Sequence, residues 1–112
     1  MKVQIGLTTY NCYDNINELS KALDNYNKAI VFKANEPFFY LRRSIVYGKL
    51  QKFNDCLSDL SISCELNPKF GEAYYWKGFV KVKMKQDPCE DLQKAVSLGF
   101  RHARGLLQKY CK

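Results

Sequence analysis

The chain has 112 residues, enough for one modest domain or a short stack of repeats. With 46% apolar and 14% aromatic residues it can bury a core, which excludes a disordered chain, and no apolar run approaches the roughly 18 residues of a membrane span. The net charge of +7 is spread without a block of like charge, so it admits acidic partners, nucleic acid or a plain solvated surface.

The opening MKVQIGLTTYNCYD has no apolar stretch of the kind a signal peptide needs. The expected compartment is the cytoplasm, or the periplasm if the chain is a mature fragment. The five cysteines show no Cys-x-x-Cys spacing and His102 is the only histidine, so a metal site is not expected. An odd cysteine count also argues against a complete disulfide framework. No Ser or Cys has an evident base partner and there is no Gly-rich phosphate loop, so we expect neither an enzyme nor a cofactor.

In chain order, the segment at about Ile5–Ile16 taken alone could be a strand or frayed coil, since Val3, Ile5, Thr8 and Thr9 are poor helix formers; the repeat register given below favours a helix. The next is strong: Leu19, Ala22, Leu23, Tyr26, Ala29 and Ile30 make one apolar stripe. Pro37 suits the first turn of a helix running to about Leu50. A break at Gln51-Lys52 precedes a second helix, with Asn54 as its expected cap and Pro68 closing it. A further helix starts near Gly71, with a turn at Gln86-Asp87-Pro88 that we expect to be about two residues shorter than the others. Asp87 and Pro88 suit the cap and first turn of a helix that Gly99 ends. Arg101–Tyr110 places Ala103, Leu106, Leu107 and Tyr110 on one face, as an end cap over an apolar edge would require.

A shift of 34 residues lays these helices over one another. Tyr13 meets Tyr47, Leu19 meets Phe53, Ala22 meets Cys56, Tyr26 meets Leu60 and Ala29 meets Ser63. Farther on, Tyr40 meets Tyr74, Arg43 meets Lys77 and Ser44 meets Gly78. The middle unit carries Tyr40, Ser44, Tyr47, Cys56, Leu60, Ser63 and Pro68 at the aromatic, small, large and proline positions of the tetratricopeptide repeat, a family that the chain resembles over nearly its whole length. The resemblance implies an all-α fold, a right-handed superhelix of antiparallel helix pairs. The repeats would span about 3–36, 37–70 and 71–99, with a capping helix at 101–110, all in a single domain.

It also implies a concave face lined by the first helix of each repeat, where ligands bind. The residues placed there include Asn11, Leu41, Arg42, Ile45, Lys49, Tyr75, Trp76, Phe79 and Lys83. Apolar side chains rimmed by Arg42, Lys49 and Lys83 suit a protein or peptide with apolar anchors and acidic groups. The same apolar set would also serve self-packing or a homo-oligomer. Some family members clamp the acidic tails of Hsp70 and Hsp90 through Lys, Asn and Arg. Here those positions hold Leu7, Asn11, Arg42, Glu72 and Trp76, of which Asn11 alone matches.

Three further expectations concern side-chain pairs. Asp59 is expected to meet Lys77 across the repeat junction. Lys77, Lys81 and Lys85 form one basic stripe that could touch phosphates, although three like charges neutralise few of them. Cys89 and Cys111 lie at helix ends that an antiparallel pair brings together, which makes them a candidate disulfide. A reducing compartment would keep both as thiols. Cys56 and Cys64 read as small packing residues.

Overall fold

The computed structural model describes residues 16–111, which form six helices and no strand. They are α1 (Ile16–Phe32), α2 (Pro37–Lys49), α3 (Phe53–Leu66), α4 (Gly71–Lys83), α5 (Cys89–Ser97) and α6 (Ala103–Tyr110). The helix expected at about Ile5–Ile16, and Asn11 with it, lies almost entirely outside the described residues. Each helix packs mainly on its neighbours in sequence, the arrangement of a solenoid.

Local chemistry sets the helix ends. Pro37 opens α2, and the Glu36 carboxylate accepts the Phe38 N–H at 3.3 Å. The Tyr40 hydroxyl donates to the Ala34 carbonyl at 2.7 Å and pins the turn from α1. At the end of α2, Gln51 takes a left-handed φ of 60°, and Lys52 N–H returns to the Tyr47 carbonyl at 2.9 Å. Lys85 has the same φ after α4, and Gln86 N–H returns to the Lys81 carbonyl at 2.7 Å. These two ends stand one repeat period apart, so the backbone repeats along with the sequence. Gly99, at φ 91°, ends α5 in the same manner, with Phe100 N–H on the Ala95 carbonyl at 2.9 Å.

Two expectations about helix starts need correction. Lys52, not Asn54, precedes α3, and no side chain caps that helix; Asn54 already lies in its first turn. The link between α4 and α5 is five residues, against three between α2 and α3. The third repeat is shortened inside its second helix instead. Asp91 is the third residue of α5, whereas Asp59 is the seventh of α3. Pro88 and the Asp87 carboxylate, which accepts the Cys89 N–H at 3.0 Å, start α5 about a turn late.

The core has two parts. Leu41, Cys56, Leu60, Cys64, Ala73 and Val80 join α2, α3 and α4. Leu92, Ala95 and Ala103 join α5 to α6, with Phe100, Leu106 and Leu107 packed around them. Small residues allow the helices to approach. A Cβ on Gly78 would stand 2.5 Å from Leu92 Cδ2, and the buried Ser63 hydroxyl donates to the Pro37 carbonyl at 2.8 Å.

Ion pairs lie within repeats. Asp59 accepts two hydrogen bonds from Arg43, both at 2.8 Å, and Arg43 also donates to Asn27 Oδ1 of α1 at 2.9 Å. The Arg43 pKa is raised, first by its hydrogen bond to Asp59. Asp91 takes both Lys81, at 2.7 Å, and Lys77, at 3.6 Å. The expected Asp59–Lys77 contact is therefore incorrect. In an antiparallel pair, the basic residue on the first helix faces the acid on its own second helix. Cys89 and Cys111 are joined in a disulfide, with Cα atoms 5.7 Å apart.

Candidate interaction groove

Helices α2 and α4 are the first helices of consecutive repeats, and a cavity of about 540 Å³ lies between their exposed faces. Ile45 and Lys49 come from α2, and Trp76, Phe79 and Lys83 come from α4. The 3.6-residue period brings residues three and four apart to one side, so each helix offers a short stripe to the same space. Phe53 and the buried Cys56, from the start of α3, also line it.

The aromatic side chains are held in place. The Trp76 indole N–H donates to Glu72 Oε2 at 3.2 Å, a contact one helical turn back. Trp76 meets Phe79 edge-on at 5.4 Å between ring centroids and Tyr75 at 5.0 Å. Tyr75 continues the row to Phe100, 5.1 Å away, beyond the end of α5. Lys83 Nζ lies 5.4 Å from the Phe79 centroid, so the ammonium group sits beside the ring face while this exposed residue keeps it in water. The groove is thus an apolar slot with ammonium groups at its rim.

Five residues singled out from the sequence meet at this cavity: Ile45, Lys49, Trp76, Phe79 and Lys83. Arg42 stands on the other flank of α2. It lines a smaller cavity of about 270 Å³ toward α1, with its guanidinium 5.6 Å from the Phe38 ring centroid. Ile45 and Lys49 border both cavities. Tyr75 does not line the main cavity but extends its aromatic wall toward Phe100. Leu41 must be withdrawn from the set: it is fully buried among Leu60, Ala73 and their neighbours, and no ligand reaches it. Phe53 and Phe100 were missed. Both come directly after a turn, and the helical period of α2 and α4 carries no information on where a turn folds back.

The thiol lining the cavity is chemically quiet. Burial raises the Cys56 pKa to about 12 and the Cys64 pKa to about 11, so both stay protonated at neutral pH. Among the described residues no cluster of His, Cys, Asp and Glu could hold a metal ion. No helix there is long and apolar enough to cross a membrane. The basic stripe is partly engaged: Lys77 and Lys81 both pair with Asp91.

No family model matches the chain. A stretch of 54 residues is 33% identical to the small glutamine-rich tetratricopeptide repeat-containing protein of Dictyostelium discoideum, covering 48% of this chain and 16% of that protein. Among solved structures, the first TPR domain of Spaghetti (RPAP3), bound to the HSP90 peptide SRMEEVD, matches with a TM-score of 0.79 at 23% identity, over 89% of this chain and 85% of that one. The Arabidopsis OM64 TPR domain matches at 0.74 and 20% identity, over 88% of each chain. The Sgt2 TPR domain from Aspergillus fumigatus matches at 0.70 and 18%, over 88% of this chain and 74% of that one. At these identities the likeness to the solved structures is one of fold.

Proposed function

We propose that the chain, whose fold is that of tetratricopeptide repeat domains, is a non-catalytic interaction module holding a peptide or protein segment between α2 and α4. The observation that carries this reading is the cavity of about 540 Å³, apolar along Ile45, Phe53, Trp76 and Phe79 and rimmed by Lys49 and Lys83. A large apolar side chain of the partner fills the slot, and carboxylates beside it meet the lysines and Arg42. Apolar burial supplies most of the affinity, at roughly 25 cal/mol per Å² before the cost of ordering the peptide. Charge sets the sign of the partner and the rate of encounter.

A similar scaffold accommodates an acidic peptide in the RPAP3 domain. The contacts in this groove differ from the carboxylate clamp, because Leu7, Glu72 and Trp76 stand where its cations would be. The recognised feature is an apolar anchor with acidic neighbours, not a terminal carboxylate. Nucleic acid is disfavoured because Asp91 occupies two of the three lysines in the basic stripe.

The test is titration with acidic peptides carrying one central Phe or Leu, monitored by the emission of Trp76, the only tryptophan of the chain. Binding should shift that emission, weaken as salt rises, and fail for peptides with lysine in place of the acids. Phe79→Asp should abolish it while the helical circular dichroism persists. If Phe79→Asp instead converts a dimer to a monomer in gel filtration, the groove is an oligomer contact and the peptide reading is wrong.

A further inference from the structure

We infer that the Cys89–Cys111 disulfide is a redox latch on the groove: it holds the C-terminal cap, and the cap holds the aromatic wall. This deepens the groove reading and rests on it for its functional consequence. The bond joins the first residue of α5 to the residue just after α6, 22 positions along the chain. Without it, α6 has only eight residues and attaches through buried Ala103 and the partly buried Leu106 and Leu107. A helix that short does not persist on its own propensity. Its retention therefore depends on the covalent bond far more than does any other helix of the stack.

The cap is connected to the groove through the loop before it. A Cβ on Gly71, the first residue of α4, would stand 3.3 Å from both Leu98 Cβ and Phe100 Cβ, so this loop lies directly on the start of α4. The Phe100 ring packs on Tyr75 at 5.1 Å, and Tyr75 packs on Trp76 at 5.0 Å. Loss of α6 frees the far end of that loop, Phe100 leaves Tyr75, and the Trp76 side of the cavity loses its support. The chemistry balances as a thiol–disulfide exchange. A dithiol reductant attacks the bond, Cys89 and Cys111 each take up one electron and one proton, and the reductant closes its own disulfide. The oxidised chain presents a formed groove, and the reduced chain presents a loosened one.

The experiment compares the full chain oxidised, the same chain in dithiothreitol, and a Cys111→Ser variant. Hydrogen exchange is read in α6 and in α3, and acrylamide quenching is read at Trp76. Removing the loop constraint should speed exchange in α6 by about 100-fold. Exchange in α3 should change little, and quenching of Trp76 should rise. Cys111→Ser should behave like the reduced chain and ignore dithiothreitol. Equal α6 exchange in both states overturns the latch, as does loss of α3 protection together with α6. Release of α6 with unchanged quenching overturns the link to the groove. Five titratable thiols in the unreduced, denatured chain would remove its basis. None of these readouts uses a partner, so they fail or succeed separately from the peptide titration.

Discussion

The second repeat, α2–α3, and the third, α4–α5, share one backbone plan and use it differently. Both first helices end on a left-handed residue, Gln51 and Lys85, and both tie a cation on the first helix to a buried aspartate on the second. The side chains then diverge. Arg43 grips Asp59 with two hydrogen bonds, while Asp91 is shared by two lysines. Leu41 is sealed in the core, whereas its counterpart Tyr75 is only partly buried, at the end of an aromatic row. The second repeat sits between two neighbours and spends its equivalent positions on packing. The third has only a shortened helix and a cap beyond it, and its freed positions form a wall of the groove. A repeat position therefore specifies a direction, and the neighbour across from it decides between core and surface.

The sharpest way to break this comparison is the same charge at both places. Leu41→Asp buries an unpaired carboxylate in a fully closed site and should cost about 4 kcal/mol or more, enough to unfold a marginal domain. Tyr75→Asp should cost under about half of that, since the new carboxylate can reach water. Denaturant midpoints measure both, and equal losses would mean that the two positions are equivalent after all.

The Leu41 case also shows what could be read in advance. Pro37, Pro68 and Gly99 are local signals that place helix ends, and the 34-residue period carries the family resemblance that implies the all-α class. Ile45, Lys49, Trp76, Phe79 and Lys83 were placed on one face by the family resemblance, and the helical period keeps each helix's share of them together. Leu41 and the Asp59 partner were not legible. Each depends on which neighbour stands opposite, and that is set by how the helices of a pair pack, not by spacing along one of them. Phe53 and Phe100 were hidden by turns. The pairing of Cys89 with Cys111 was legible as geometry, from antiparallel ends, while the choice between bond and thiols depends on redox conditions that no spacing encodes.

A second pair of substitutions compares the ion pairs. Asp59→Asn leaves the Arg43 guanidinium without its charged acceptor in a site where the arginine side chain is only 19% exposed, and should cost about 3 kcal/mol. Asp91→Asn should cost less, on the order of 1–2 kcal/mol. Lys77 and Lys81 carry their charge on flexible stems and can turn it to solvent, whereas the planar arginine fork cannot be re-aimed as easily. Chemical denaturation of the two variants checks the order. If Asp91→Asn proves the more damaging, the third repeat leans on its shared aspartate more than its geometry implies.

The smallest effect tests what the repeats have in common. Gln51 and Lys85 both hold φ at 60°, where a Cβ crowds the next carbonyl, and neither has glycine's freedom there. Glycine at either site removes that strain but loosens the unfolded chain, and the two effects partly cancel. The net gain should be under about 1 kcal/mol for Gln51→Gly and the same for Lys85→Gly. Thermal midpoints should rise by a few degrees in each single variant, and the gains should add in the double if the two turns act independently. Unequal gains would locate extra strain in one turn. The sites differ chiefly in the length of the link beyond each: Gln51 leads within two residues into α3, while Lys85 leads into the longer link before α5. A link with more residues can distribute strain over more torsions, so any inequality should favour Gln51→Gly.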